Sequence, residues 1–164
     1  MERYRWLADV IAVHPNREVH GRTRLQKTIK LLQSLGLPTG YSYMNYFYGP
    51  YSEGLQADLR LVQQLGLVAE NHGTTQDGTE YYVFVASEAA GREIDPYRPA
   101  IEALSRAETV ILELAATYQA FKELGLDDDD ATRRLRQKKG SKCANGNEGR
   151  AMALLADLVQ LKVA

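Results

Sequence analysis

Apolar residues recur at every third or fourth position in three segments of the N-terminal half of the chain. That spacing places them on one face of an α-helix, which can then pack against a core. The pattern predicts three helices, over residues 3–13, 22–35 and 53–65. Ser52 immediately precedes the third helix, where its hydroxyl can accept a hydrogen bond from a free backbone N–H group and define the helix start.

Alternating residues predict β-strands in two regions. The aromatic segment from Tyr41 to Tyr48 predicts a short strand that ends at Gly49-Pro50, and this pair is expected to form the turn that begins the third helix. Residues 67–70 and 81–85 predict a hairpin whose polar connection contains Asp77-Gly78. Three helices followed by a hairpin is the order of a winged helix-turn-helix. The connection between the second and third helices is, however, longer than the usual loop of about 3–4 residues.

The C-terminal part of the chain predicts helices alone. After a boundary at Asp95-Pro96, the apolar pattern predicts helices within residues 100–124, 127–139 and 147–162. The first of these segments is apolar around so much of its circumference that we expect burial on more than one side. The predicted fold class is mainly α with a small β-hairpin. A winged helix-turn-helix domain covers residues 1–95, and a C-terminal helical region over residues 96–164 packs on it or mediates self-association.

Composition and charge narrow the class of protein. The 164 residues include 20 Lys and Arg against 21 Asp and Glu, a balance that argues against a strong nonspecific nucleic-acid binder. The sequence shows neither an apolar run long enough for a membrane span nor an export signal, so a cytoplasmic protein is expected. The single cysteine, Cys143, excludes an intramolecular disulfide.

Two short segments carry a family resemblance. They are Gly21-Arg-Thr-Arg-Leu-Gln-Lys27 and Tyr48-Gly-Pro-Tyr-Ser52, at the starts of the second and third helices. At this spacing they resemble the YwgA-like family of uncharacterised bacterial and archaeal proteins, and more distantly the phage-associated Panacea antitoxin domain. The resemblance covers roughly residues 18–90. It implies a winged-helix-like fold, no known enzymatic activity, and roles near toxin neutralisation, transcription or phage defence, and it transfers no catalytic residue.

Charged residues of the second helix have two interpretations. On a helical wheel Lys27 and Lys30 lie opposite the apolar face, with Arg22 at its edge and Arg24 on the other flank. They form either an edge that contacts phosphate or an ordinary solvated face, and Arg24 can instead pair inward as a structural residue. Asp58 falls on the apolar side of the third helix, where an unpaired carboxylate is costly, so we expect it to pair with Arg24 or a tyrosine hydroxyl.

The outward face of the third helix holds Gln56, Arg60 and Gln63, residue types that hydrogen-bond to base edges in the major groove. Arg60 is the only cation of this helix, and Glu53 near its N-terminus would repel phosphate. A polar surface unrelated to DNA explains these residues equally well.

An aromatic cluster lies between the second and third helices. It either stacks on single-stranded bases or forms a core strand whose hydroxyl groups reach partners at the rim. Its members are Tyr41, Tyr43, Tyr46, Phe47, Tyr48 and Tyr51. Gly49 and Pro50 are interpreted as a structural turn, because the segment lacks the several glycines and the lysine of a phosphate loop.

The strongest charge feature is a run of four aspartates, Asp127 to Asp130, followed by bases from Arg133 onward. Acids in the first turn and bases in the last complement the helix dipole, and pairs four residues apart add stability, so the run can be purely structural. Four bases lack local acidic partners and are therefore candidates for phosphate contacts: Arg136, Lys138, Lys139 and Lys142.

Catalysis has little support in the sequence. The three histidines are isolated and show no spacing typical of metal ligands. Cations beside Cys143 are expected to lower the pKa of its thiol, but a nucleophile would also need a histidine partner. We therefore expect neither an enzyme, nor a metal site, nor a cofactor.

Two functional hypotheses follow. The first is a DNA-binding regulator that is antitoxin-like or associated with phage defence. It is expected to form a homodimer and to bind DNA through the winged-helix surface and the C-terminal bases. The second is a protein–protein adaptor that keeps the winged-helix shape without binding nucleic acid, with a toxin or a defence component as its partner.

Overall fold

The computed structural model describes residues 2–46, 48–91 and 94–161. Its helices are α1 (Arg3–Val13), α2 (Arg22–Ser34), α3 (Glu53–Gln64), α4 (Arg98–Arg106), α5 (Thr109–Glu123), α6 (Asp128–Lys139) and α7 (Asn147–Gln160). Its strands are β1 (Glu18–His20), β2 (Met44–Tyr46), β3 (Gly49–Tyr51), β4 (Val68–Thr74) and β5 (Glu80–Ala86). Short 3-10 turns precede β1 and α4 and follow α6.

The helices agree with the apolar pattern. The three N-terminal helices are confirmed, and the backbone N–H group of Leu55 donates to the Ser52 hydroxyl at 3.2 Å, so Ser52 caps α3 as predicted. The apolar segment 100–124 contains two helices, because the backbone at Ala107 and Glu108 is extended. Within the described ranges, none of the helices combines the length and apolar character needed to cross a membrane.

The sheets are less well predicted than the helices. The expected hairpin of β4 and β5 is confirmed, but β1 also pairs with β5, which gives a three-stranded antiparallel sheet in the order β1-β5-β4. The expectation that Gly49-Pro50 ends the aromatic strand is wrong. Residues Gly49–Tyr51 form β3, which pairs antiparallel with β2 in a separate two-stranded hairpin. A proline is compatible with this position because a two-stranded hairpin has only edge strands.

Helix α5 lies at the centre of the C-terminal half. It packs against α2 and β3 on one side and against α6 and α7 on the other. Its buried residues are Ile111, Leu112, Glu113, Leu114, Ala115, Ala116, Thr117, Tyr118 and Phe121. Contacts within one chain therefore account for an apolar surface that extends around most of the helix, and this surface no longer argues for self-association.

Candidate functional site

The two segments that carry the family resemblance bind each other in the structure. The side-chain amide of Gln26 donates to the Ser52 carbonyl oxygen and accepts from the Ser52 backbone N–H group, both at 2.9 Å. One residue further along α2, the Lys27 ammonium group donates to the Pro50 carbonyl oxygen at 2.5 Å. Buried polar groups require such partners, so α2 and the segment Gly49–Ser52 fix each other's position.

Gly49 lies directly against α5. Its φ angle of 94° is in the region that favours glycine, and an added Cβ atom would lie 2.5 Å from the Thr117 hydroxyl oxygen. The same Cβ would lie 3.6 Å from the Lys139 ammonium nitrogen. Only glycine therefore lets β3 approach α5 this closely.

Three lysines surround the Glu113 carboxylate beneath β3: Lys27, Lys139 and Lys142. We call these four residues the lysine cluster. The Lys139 ammonium group lies 2.8 Å from one Glu113 oxygen, and the Lys142 ammonium group lies 3.1 Å from the same carboxylate. Burial and the neighbouring charge of Lys139 lower the pKa of Lys27 to about 8, and Glu113 acts in the opposite direction. Cations thus outnumber carboxylates at this point among the described residues.

A pocket opens between the N-terminus of α2 and the β2–β3 hairpin, and we call it the α2–hairpin pocket. Its volume is about 360 Å³. It is lined by Arg22, Thr23, Gln26, Lys27, Tyr46, Tyr48, Gly49, Tyr51 and Glu53. Seven of these nine residues belong to the two family-like segments, so the segments build a concave surface as well as a structural contact.

The walls of this pocket are aromatic. Tyr46 and Tyr48 are 42% and 58% exposed, and the rings of Tyr46 and Tyr51 meet edge to face with their centroids 5.3 Å apart. Tyr41 is buried as the core interpretation predicts, although it lies outside β2, whereas Tyr46 and Tyr48 are exposed and contradict that interpretation. Phe47 lies outside the described residues.

The predicted exposed edge of α2 is mostly buried. Lys27 is 2% exposed and Lys30 is 4% exposed, because α5 and β3 pack against this face of the helix. Lys30 forms an ion pair with Glu123 of α5. Arg22 is exposed and pairs with Glu70 at 3.1 Å. The prediction that Lys27 and Lys30 lie at a solvent-facing surface is therefore wrong.

Two further charged residues, Arg24 and Asp58, have structural roles. Arg24 donates to the Ala107 carbonyl oxygen at 2.5 Å and to the Leu104 carbonyl oxygen at 3.3 Å, and so binds the C-terminal end of α4. Asp58 accepts from the Tyr41 hydroxyl at 2.8 Å and from Arg3 at 2.7 Å. Of the two partners predicted for Asp58, the tyrosine hydroxyl is correct and Arg24 is wrong.

The C-terminal bases have acidic partners that lie far along the chain. Arg136 makes two hydrogen bonds of 2.8 Å to the carboxylate of Glu148, and Lys139 and Lys142 both pair with Glu113. Lys138 is exposed, and the described residues place no carboxylate within ion-pair distance of it. Three of the four bases are therefore already paired with carboxylates, and Lys138 is the exposed candidate for a phosphate contact that has no such partner among the described residues.

The polar face of α3 is only partly available. Arg60 is exposed, whereas Gln56 is half-buried and Gln63 donates to the carboxylate of Glu70 at 3.1 Å. Gln63 is thus already oriented by the protein, and Gln56 is only partly accessible. Arg60 is the one that projects freely into solvent.

Catalytic chemistry gains no support from the geometry. Burial and Glu148 raise the pKa of the Cys143 thiol and outweigh the neighbouring cations Arg136 and Lys139, which lower it as expected. His14 is buried, and its ring nitrogen lies 2.9 Å from the Val10 carbonyl oxygen. Across the described residues, no group of three histidine, cysteine or acidic side chains is placed to hold a metal ion.

Comparison with known proteins gives one distant relative and no function. No protein-family model matches the chain. The chain is 24% identical over 156 residues to the uncharacterised protein YwgA of Bacillus subtilis (strain 168), an alignment that covers 88% of this chain and 90% of YwgA. This distant similarity supports a YwgA-like family.

Proposed function

We propose that the protein is a non-enzymatic adaptor with a winged-helix fold that binds a protein partner and does not act on DNA. The order α1-β1-α2-β2-β3-α3-β4-β5, with the sheet order β1-β5-β4, supports the winged-helix assignment, in which the β2–β3 hairpin is an insertion between α2 and α3. In this assignment α3 takes the place of the recognition helix and the β4–β5 hairpin is the wing.

The charge of the α3–wing surface is the observation that carries the proposal. Residues 53–86 contain five carboxylates and one arginine, Arg60. Asp58 and Glu70 pair with arginines from outside this range, which leaves Glu53, Asp77 and Glu80 against Arg60. DNA-binding surfaces neutralise phosphates with lysine and arginine, and this surface has the opposite sign. The remaining cations of the predicted DNA surface are mostly buried or paired with carboxylates, so they contribute little attraction at long range.

An exposed apolar surface on the β2–β3 hairpin supports a protein partner. Met44, Tyr46 and Tyr48 are 64%, 42% and 58% exposed. Aromatic residues and methionine are enriched at protein interfaces, where they supply large contact areas. Since the sequence resembles Panacea antitoxin domains distantly, a toxin is the first class of partner to test.

A pair of surface variants tests the protein-binding role. Met44→Asp places a charge on the hairpin, and Val159→Asp places one on α7 at a residue of the same exposure, 64%. The tagged protein and both variants are used to capture partners from the native host in 0.5 M salt, roughly the range where weak electrostatic contacts are screened. We expect a partner that is retained by the wild type and by Val159→Asp and lost with Met44→Asp.

A DNA titration tests the competing role. Fluorescence polarisation with double- and single-stranded DNA is expected to show no salt-sensitive binding. Arg60→Glu and Lys138→Glu reverse two exposed cations that have no carboxylate within ion-pair distance among the described residues, so neither variant disturbs a buried ion pair. Salt-sensitive DNA binding that is weakened in both variants would favour the hypothesis of a DNA-binding regulator and reject the adaptor hypothesis.

A further inference from the structure

The α2–hairpin pocket combines features that the adaptor proposal does not use. At about 360 Å³ it is large enough for a small ligand, since ligand pockets start at roughly 300 Å³. It has an aromatic side formed by the tyrosines of the hairpin and a cationic side formed by the first turns of α2. A ligand that matches it must therefore have a flat apolar part and an anionic part.

The cationic side of the pocket is built by α2. Arg22, Thr23 and Lys27 all line the pocket, and Thr23 and Lys27 are four residues apart, hence on one helix face. The preceding residue, Gly21, offers no side chain to cap the helix, so no side chain occupies the N–H groups of the first turn. Helix N-termini of this kind attract anions through the helix dipole and these N–H groups.

Lys27 adds a buried positive charge to this side of the pocket. It is 2% exposed, and within the described residues its ammonium group has one hydrogen-bond acceptor, the Pro50 carbonyl oxygen, for three donors. No carboxylate of the described chain lies within ion-pair distance of it, because Glu113 pairs with Lys139 and Lys142. Burying a cation in this way is costly unless an anion compensates it.

The aromatic side presents ring faces and edges to the pocket. Tyr46 and Tyr51 meet edge to face, and Tyr48 lies under the Lys142 ammonium group, 5.2 Å from the ring centroid. Flat heterocycles stack on exposed tyrosine rings, and the stacking does not depend strongly on which base is bound. Glu53 on the rim and Glu70 beside Arg22 add negative charge, which favours a ligand of low charge over a triphosphate.

We propose that the α2–hairpin pocket binds a small ligand in which one phosphate group is joined to a flat ring, the chemistry of a nucleoside monophosphate. The ring lies against Tyr46, Tyr48 and Tyr51. The phosphate lies at the N-terminus of α2, near Arg22, Thr23 and Lys27. The ring thus contacts Tyr46 and Tyr48, which also belong to the surface assigned to the protein partner, but the pocket and the titration that tests it do not depend on that partner.

Calorimetric titration and thermal unfolding with AMP, GMP, CMP and UMP test this proposal. Each nucleotide is compared with its nucleoside, its triphosphate and inorganic phosphate. We expect at least one monophosphate to raise the Tm in a concentration-dependent way and to bind about tenfold or more tightly than its nucleoside, its triphosphate and inorganic phosphate, a difference of about 1.4 kcal/mol. Absence of binding by all four at millimolar concentration, or equal binding of nucleoside and nucleotide, would overturn it.

Matched variants locate the ligand in this pocket. Tyr48→Ala removes an exposed wall of the pocket, whereas Tyr81→Ala removes a tyrosine of similar exposure, 46%, on the β4–β5 hairpin. Tyr48→Ala is expected to weaken nucleotide binding about tenfold, in line with stacking energies, and Tyr81→Ala to leave it unchanged. Thr23→Val should reduce the preference for nucleotide over nucleoside. Equal loss in the two tyrosine variants, or an unchanged preference in Thr23→Val, would show that the ligand binds elsewhere.

Discussion

The molecule contains two hairpins with opposite construction. The β2–β3 hairpin has three residues in each strand, exposes apolar side chains, and is held from below by buried polar groups of α2, α5 and α6. The β4–β5 hairpin has seven residues in each strand, buries apolar side chains of both strands in the core, and gains a third strand, β1.

The difference shows how the same local structure can depend on different contacts. An isolated two-stranded hairpin is only marginally stable, so the short hairpin requires the protein beneath it. The long hairpin carries its own ladder of hydrogen bonds and cross-strand pairs. Substitutions beneath the short hairpin should therefore lower the free energy of unfolding strongly and disturb the α2–hairpin pocket. Substitutions along the long hairpin should lower it only slightly, and their effects should stay local.

The largest effect is expected from Glu113→Gln, which leaves two lysines without their carboxylate. The side chains of Lys139 and Glu113 are 2% and 6% exposed, and breaking a buried pair typically costs about 3–5 kcal/mol. Urea unfolding should show a loss of this size. The control is Glu148→Gln, which frees Arg136, a residue whose side chain is 64% exposed, and should change little. Equal losses would mean that burial does not distinguish the two pairs.

Gly49→Ala is expected to have the next largest effect. It combines a positive φ with a Cβ atom 2.5 Å from the Thr117 hydroxyl oxygen, and we expect a loss of about 2–4 kcal/mol. Gly78→Ala is the matched control, because Gly78 also has a positive φ but no atom within 4 Å of the added Cβ. It should lose only about 1 kcal/mol.

A second variant isolates the steric part of that loss. Adding Thr117→Ala to Gly49→Ala removes the oxygen that the new methyl group meets, so the double variant should lose less than the sum of the two single variants. Thermal or urea unfolding of the four proteins measures the coupling. Strict additivity would mean that the conformation of residue 49, and not its contact with α5, sets the cost.

Local patterns in the sequence predicted the elements that depend on local contacts. The spacing of apolar residues located α1, α2 and α3, and the position of Ser52 identified its role as a helix cap. The partner of Asp58 was half predicted for the same reason, since a carboxylate on an apolar face must find a donor nearby. These inferences needed only the chemistry of one segment.

The errors arise where distant segments meet. A helical wheel shows Lys27 and Lys30 as a polar face, and only the packing of α5, some eighty residues further on, reveals that this face is buried. The pairing of Gly49–Tyr51 with β2 spans three residues, too few for an alternating pattern to emerge. The pocket was missed because its two walls come from α2 and the hairpin. The one sequence signal of the pocket was that most of its lining residues belong to the two family-like segments.

The buried charge of Lys27 predicts an unusual dependence of stability on pH. Its pKa is lowered to about 8 in the folded protein, against 10.5 in the unfolded chain. Between these values the unfolded chain holds the proton and the folded protein does not, so the free energy of unfolding should rise with pH, by at most about 1.4 kcal/mol per unit. The charged groups around Lys27 are Lys139, Glu113 and Lys138.

The variant Lys27→Met isolates this contribution. Other groups act in the opposite direction, because the raised pKa values of Tyr41, Tyr43 and Cys143 lower stability at high pH. They titrate in both proteins, so the difference in unfolding free energy between wild type and variant reports Lys27 alone. We expect that difference to change between about pH 8 and 9.5, in favour of the wild type as pH rises. A constant difference across this range would show that Lys27 titrates normally.

The smallest effect is expected on the long hairpin. Tyr81 lies opposite Gly73 in the ladder, and its ring covers that glycine, within 2.3 Å of where a Cβ would stand. Such a cross-strand pair contributes about 0.2–1 kcal/mol, so Tyr81→Ala should cost no more than this. Hydrogen exchange should accelerate in β4 and β5 and stay unchanged in β2 and β3, because the two hairpins lie in separate sheets. Faster exchange in both would mean that the hairpins open as one unit, and the contrast between a hairpin held from below and one held by its own ladder would then be lost.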